Sequence, residues 1–408
     1  MSDDRTFVIA GAGLAGAKAA ETLRTEGFTG RVVLLGEENH PPYERPPLSK
    51  GYLLGTQERE TAFVHQPAWY DKQGIELRPA CRVEDVDPAS QDVTLAGGHR
   101  LRYAELLLAT GAVPRRLDVP GADLAGVAYL RTIDDSDALS ATLVAGTRVV
   151  VIGAGWIGLE VTAAARQRGC AVTLVERDNQ PLRQVLGDEM GAVFADLHRA
   201  HGVDLRLGNG VREIVGDGGR ASGVALSSGD TLPADVVVVG IGVIPSVELA
   251  ERAGLLIDNG VLVDSRLRTS DPHIYAVGDI ANVDHPTIGR RVRVEHWATA
   301  LHTGPAAARA MLGQDVVYDR LPYFFTDQYD LGMEYTGHAQ PGDYDEVVVR
   351  GDLDTRQFIA FWLSGGHVRA GMNVNVWDVT EDVQRLIRSG TAVDPSRLAD
   401  ERVPLAEV

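Results

Sequence analysis

Cysteine is almost missing from this chain: Cys81 and Cys170 are the two in 408 residues. They form neither a disulfide framework nor a CxxC or CxxxxC pair, so a dithiol relay is excluded. No cysteine lies in residues 39–50, where peroxide- and oxygen-reducing flavoproteins need one. Lysine is as scarce, with Lys18, Lys50 and Lys72 standing against a large excess of arginine. The longest apolar runs, at Val149 and Val236, are far too short to cross a bilayer. Met1-Ser2-Asp3-Asp4 carries acids where a secretory leader carries bases, so the cytoplasm is the expected location. A net charge of −18 argues against nucleic acid, whose phosphates need a basic face. No metal site is expected.

What is present reads as an ordinary globular protein, 44% hydrophobic and 24% charged. A chain of 408 residues is too long for one core, so two or three domains are expected.

One unit occurs twice. Thr6-Phe7-Val8-Ile9-Ala10 leads into Gly11-Ala12-Gly13-Leu14-Ala15-Gly16, a helix-like stretch to Arg24, and a second apolar run ending at Gly36-Glu37. Arg148-Val149-Val150-Val151-Ile152 leads into Gly153-Ala154-Gly155-Trp156-Ile157-Gly158, a helix-like stretch to Arg168, and a run ending at Glu176. Each predicts strand, glycine turn, helix, strand. In such a unit the first glycine permits the tight turn, the second lets backbone N–H groups reach a pyrophosphate, and the third lets the helix lie on the strand. The helix N-terminus presents partial positive charge to the phosphates, and the acid at the end of the second strand accepts from ribose hydroxyls. Two complete copies predict two dinucleotide sites.

The proline-rich stretch from His40 to Lys50 predicts a loop. Val83–Val86 and Asp92–Leu95 predict antiparallel strands, while Leu106–Gly111, Ala234–Ile241 and Ile274–Asp279 predict buried strands ending in turns. From Leu321 the chain turns aromatic and strand-rich, which predicts a further α+β domain.

The segments GAGLAG with Glu37, ERPPLSK, ATG at Ala109, YLRT, GAGWIGLE, GIGVIP, TSDPHIYAVGD and FFTDQYD occur in this order along essentially the whole chain. Together they resemble the two-dinucleotide-binding-domain flavoproteins, and among them the ferredoxin reductases of oxygenase systems. The resemblance implies an α/β fold of two nested, glutathione-reductase-like Rossmann domains plus a C-terminal α+β domain. The implied boundaries are residues 1–113 and 243–320 for FAD, 114–242 for NAD, and 321–408 for the last domain.

It also implies site residues. Gly11, Gly13, Ala15 and Gly16 would hold the pyrophosphate of non-covalent FAD, and Glu37 its adenosine ribose. Val83 would meet the adenine through its backbone, Asp279 the ribityl or pyrophosphate part, and Trp297 the isoalloxazine region. Arg45 and Arg131 would flank that cofactor. Gly153, Gly155, Ile157, Gly158, Glu176, Arg183 and Gly242 would hold NADH, with Glu176 favouring it over NADPH and Arg177 and Arg183 opposing that preference. Lys50 and Glu160 would carry the hydride-transfer geometry, Glu160 lying on the first turn of its helix. Phe325 stands where relatives usually have tryptophan, which predicts weaker charge-transfer complexes.

With no dithiol, electrons must pass from the flavin to an external acceptor. The resemblance implies a small iron–sulfur ferredoxin feeding a monooxygenase or dioxygenase, with the enzyme a monomer or weak dimer. Two other readings stay open: an NADH diaphorase or oxidase reducing quinone or oxygen directly, and an interaction protein regulated by its flavin. Because small ferredoxins are generally acidic, a local basic patch is needed, and Arg290, Arg291 and Arg293 with Arg45 and Lys50 are its candidates.

Overall fold

The apolar runs that precede the glycine clusters become the central strands of two parallel sheets. The computed structural model describes residues 3–408 and opens with β1 (Thr6–Ala10), α1 (Leu14–Thr25), β2 (Arg31–Leu35), β3 (Ile75–Arg78) and β4 (Glu105–Leu108). Next come β5 (Val127–Ala128), α2 (Ile133–Thr142), β6 (Arg148–Ile152), α3 (Trp156–Gln167), β7 (Ala171–Val175), α4 (Arg183–Ala200), β8 (Asp204–Arg206) and β9 (Val236–Val239). β10 (Ile274–Ala276) and α5 (Trp297–Met311) follow. The chain then runs through β11 (Tyr323–Gln328), β12 (Leu331–Gly337), β13 (Glu346–Asp352), β14 (Gln357–Ser364), β15 (His367–Val374) and α6 (Thr380–Ser389).

These elements cluster into two compact units. The first comprises Met1–Glu44, Arg59–Val113 and Ile244–Pro322; the second comprises Arg45–Glu58, Pro114–Val243 and Tyr323–Val408. The proline loop after Glu44 and the C-terminal sheet thus belong to the second unit.

In the first unit the sheet order is β10-β4-β1-β2-β3, parallel throughout. Phe7, Val8 and Ile9 of β1 are fully buried, as a central parallel strand covered on both faces requires. Helix α1 lies against α5, where a Cβ on Gly304 would strike the Ala15 carbonyl, so only glycine allows that approach. Val83–Asp87 and Asp92–Leu95 pair antiparallel as the sequence predicts.

The second unit repeats the layout as β8-β7-β6-β9-β5. In both sheets the strand before the glycine turn is central and the strand ending in the acid lies beside it. The outermost strand next to β4 comes late in the chain (β10), whereas its counterpart next to β9 comes early (β5). The C-terminal part is an antiparallel sheet, β11-β12-β15-β14-β13, cored by Phe358, Phe361 and Trp362. Helix α6 buries Val383 and Leu386 in the cluster that holds Phe361.

The proline stretch is more ordered than a plain loop. Pro46–Ser49 forms a 3₁₀ turn and Gly51–Leu54 one helical turn. Proline suits those first positions because the N–H it lacks would have no helical partner there.

Two glycine cradles and a buried carboxylate cluster

The two glycine turns match residue for residue. Gly11 and Gly153 have φ of +122° and +99°, and a Cβ on either would strike a backbone carbonyl of the neighbouring strand end, Ala109 or Gly240. Gly16 and Gly158 each face the carbonyl of the first glycine in their own motif, so a side chain there would lift the helix from the turn. The middle glycines differ. Gly13 and Gly155 have ordinary extended backbone, and a Cβ on either would meet nothing within 4 Å. Neither is needed to fold the turn; each leaves a gap at a helix start.

Both helices also begin uncapped. α1 and α3 have glycine at the N-cap, no side-chain cap and no acid in the first turn. α2 shows the alternative, with Thr132 and Asp135 closing a full capping box. Free N–H groups, a favourable dipole and a gap that a Cβ would fill suit an anionic pyrophosphate. The residues present therefore fit two dinucleotides.

The two acids are placed differently. Glu37 is 70% exposed, with Arg82 Nη1 3.5 Å away, so its carboxylate is open to a ribose. Glu176 turns inward and accepts from the Ala154 N–H at 2.6 Å and the Asp178 N–H at 3.0 Å. A carboxylate has about four acceptor sites, so Glu176 keeps capacity for a ribose while tying down its own glycine turn. Elsewhere in the first unit Ala15 is buried on α1, and Val83 is buried at its strand start. Asp279 sits in the 3₁₀ turn after β10, and Trp297 opens α5 with its indole N–H donating to Glu44 at 3.2 Å.

Arg45, Lys50 and Arg131 belong to the second unit. Arg45 donates to the Arg131 carbonyl, Ser136 Oγ to the Leu48 carbonyl at 2.9 Å, and Arg168 Nη1 to the Leu53 carbonyl at 2.6 Å. The Tyr52 hydroxyl donates to Asp137. These bonds clamp the proline loop on both sides of Lys50. The ammonium of Lys50 lies 2.7 Å from Glu160 Oε1 and 5.5 Å from the centre of the Phe325 ring.

Glu160 departs from its expected place. With Gly155 as N-cap it is the fifth helical residue, beyond the first turn, and is only 4% exposed. The macrodipole therefore does not account for it; its partners do. Besides Lys50, Oε1 accepts from Thr326 Oγ1 at 2.6 Å, and Oε2 accepts from Ser49 Oγ. Ser49 and Thr326 are site residues that motif reading alone missed. Their signal was adjacency to Lys50 and membership in the TDQ run.

The polar chain continues inward. Gln328 Nε2 donates to Thr326 at 3.2 Å, and His198 Nε2 lies 2.9 Å from Gln328 Oε1. Burial holds the His198 imidazole down at about 4, against an ordinary 6.5, while its bond to Gln328 pulls the other way. An unfolded chain takes up that proton first, so the linked stability is complete above about pH 6.5 and is lost as pH falls towards 4. Between pH 7 and pH 5 the loss is about 2 kcal/mol. Denaturant titrations should show wild type losing that much more than His198→Gln over this interval; equal losses would mean the imidazole is charged in the fold.

Of the remaining residues expected at NADH, Ile157 is 44% exposed beside the second glycine turn. Gly242 has φ of +96° and open space where a Cβ would be, which places another gap near the end of β9. Arg183 is paired with Asp188 at 2.7 Å. Cys170 is fully buried, and burial pushes its thiol up. The proposed basic patch is partly structural: Arg291 Nη1 donates to the carbonyls of Val263 and Asn282 at 3.0 Å, and Arg293 to the Asp279 carbonyl at 3.0 Å. Charge reversal at Arg291 would leave the Val263 and Asn282 carbonyls without this donor, and at Arg293 the carbonyl in the 3₁₀ turn, so neither is a clean docking probe.

Residues 5–304 match the pyridine nucleotide-disulphide oxidoreductase family, and residues 323–408 match the reductase C-terminal family. The chain is 43% identical to the anthranilate 1,2-dioxygenase system ferredoxin–NAD(+) reductase component of Burkholderia cepacia, over 99% of both chains. It is 37% identical to putidaredoxin reductase of Pseudomonas putida, over 100% of this chain and 97% of that one. Among solved structures, the covalent putidaredoxin reductase–putidaredoxin complex superposes with a TM-score of 0.96 at 37% identity, covering 99% of this chain and 98% of that one. Among the described residues no helix is long and apolar enough to cross a membrane.

Proposed function

The chain belongs to the pyridine nucleotide-disulphide oxidoreductase family, and from that premise we propose that it is an FAD-dependent NADH:ferredoxin reductase of an oxygenase system. The observation that carries the reading is the pair of matched cradles, each with an uncapped helix and a middle glycine opening on free space. In this reading the first cradle takes the FAD pyrophosphate at Gly11, Gly13, Ala15 and Gly16, with Glu37 on the adenosine ribose. The second takes NADH at Gly153, Gly155 and Gly158, with Glu176 on its ribose. When bound, FAD accepts hydride from NADH and releases electrons singly, a conversion the protein itself has no group to perform.

The protein's share is placement. The clamped loop fixes Lys50 and Ser49, and these hold Glu160 in the second turn of α3, the helix that follows the turn assigned to NADH. Its carboxylate retains an acceptor site on Oε2, enough for one N–H of a nicotinamide carboxamide. Hydride transfer between the bound dinucleotides would need no general acid or base from the chain, so these residues would serve to bind and orient. The acceptor we assign is a small iron–sulfur protein, and the compartment the cytoplasm. The relatives named above carry that acceptor class in their names, and neither Cys81 nor Cys170 can form an internal dithiol.

Cytochrome c reduction decides the matter. With NADH and the holoenzyme it should be negligible until a purified ferredoxin is added, whereas ferricyanide should be reduced without one. Full-rate reduction of cytochrome c or a quinone with no ferredoxin present would make the protein a diaphorase.

A further inference from the structure

We propose that Thr326, Gln328 and His198 are positioning residues: a one-directional hydrogen-bond relay that holds Glu160 against Lys50, with Tyr329 at its outer end. The role rests on the reading of Glu160 given above, but the relay itself follows from valence.

The deduction starts at Glu160, which as a carboxylate only accepts. Thr326 has one hydroxyl proton, and at 2.6 Å it is given to Glu160 Oε1. Thr326 must then accept from Gln328, which fixes the amide with Nε2 towards Thr326 at 3.2 Å and Oε1 towards His198. An amide oxygen only accepts, so His198 donates across 2.9 Å from a protonated Nε2. Its Nδ1 is left as an acceptor facing the Tyr329 hydroxyl at 3.4 Å. Every proton in the chain points towards Glu160. Thr326, Gln328 and His198 are at most 1% exposed, so no bulk water competes for these bonds.

The outer end carries independent support. Tyr329 is the first of two residues joining β11 to β12, and its φ is +57°. Glycine is the ordinary residue for a left-handed φ in such a turn, and a bulky side chain there is strained. The ring is stacked on His201 at 3.7 Å and 6°, which holds the hydroxyl at His198. The turn sets that φ, and the stacking on His201 keeps a tyrosine in it with its hydroxyl at His198.

Two measurements test this. The first needs no cofactor activity: ¹⁵N NMR of histidine-labelled protein, with His198 assigned by its loss in His198→Gln. The relay requires a neutral Nε2–H tautomer at pH 7; an Nδ1–H tautomer or an imidazolium overturns it. The second compares two variants of Gln328 in the holoenzyme by stopped flow. Gln328→Glu keeps the shape but can only accept, so it draws the Thr326 proton away from Glu160. Flavin reduction by saturating NADH should slow roughly tenfold, with the Kd for NADH changed less than about twofold. Gln328→Leu removes the donor that orients the Thr326 hydroxyl without reversing its bond to Glu160, so its limiting rate should fall by a smaller factor, roughly threefold. A packing role predicts the reverse order, since Leu leaves the His198 N–H unsatisfied. Equal slowing, or wild-type rates in Gln328→Glu, overturns the positioning role. An Nε2–H tautomer combined with normal reduction in Glu160→Ala would instead sink the function assigned to Glu160, and the purpose of the relay with it.

Discussion

Gly13→Val should fold and purify without FAD, whereas Gly155→Val should purify yellow with a flavin that NADH no longer reduces at an appreciable rate. The two substitutions are chemically identical and sit at equivalent points of repeated units. In each case the backbone is extended, a conformation valine favours, and the new Cβ meets nothing within 4 Å beyond its chain neighbours. The fold has no reason to object. A dinucleotide does, because its pyrophosphate needs the backbone approach that a Cβ blocks. Reduction in Gly155→Val should fall by roughly a hundredfold or more, as expected when the reacting atoms lose their alignment. Stability should be compared with wild-type apoprotein, since bound FAD itself stabilises the fold. The melting temperatures of the apo forms should agree. The same exchange at Gly11 or Gly16 should fail to fold, because a side chain there strikes backbone. If Gly13→Val retains FAD, or Gly155→Val retains normal NADH reduction, the assignment of that cradle is wrong.

Much of this was legible in one dimension, for a reason peculiar to the motif. Strand, glycine turn, helix and acid are contiguous, so local spacing alone sets both cradles and the centre of each sheet. The carboxylate cluster is different. Glu160 meets Thr326 across a separation of 166 residues and Ser49 across 111, and no periodicity links positions so far apart. The helix register was also misjudged from sequence: counting from Gly158 puts Glu160 in the first turn, whereas capping at Gly155 puts it in the second. The arginines were opaque too. A run of basic residues at Arg290–Arg293 reads as a patch, but a guanidinium has several donors, and Arg291 spends them on two carbonyls. Arg168 does the same for the Lys50 loop, binding carbonyls of Leu143, Leu53 and Ser140. Arg168 does so from three different nitrogens, a span that the single ammonium of lysine lacks.

Glu160→Ala should keep FAD bound and slow its reduction by NADH on the order of a hundredfold, the cost of about an ångström of misplacement. A drop in stability should accompany it, and the two effects need separating. Lys50 is only 17% exposed and Glu160 4%, so removing one partner strands a charge in a poorly solvated place. Breaking a buried pair costs roughly 3–5 kcal/mol, mostly from the charge left behind. The double variant Lys50→Met with Glu160→Leu removes both charges and keeps the volume, and such replacements are often neutral or stabilising. Its melting temperature should therefore rise above that of Glu160→Ala, short of wild type because Ser49 and Thr326 lose their shared acceptor. Its flavin reduction rate should not, because neither the ammonium nor the carboxylate is there to orient the reacting rings. Stopped-flow reduction and thermal melts on the same three proteins give the answer. If rate recovers together with stability, the ion pair serves only the fold. If the rate stays low while the melt recovers, Lys50 and Glu160 act on hydride transfer itself.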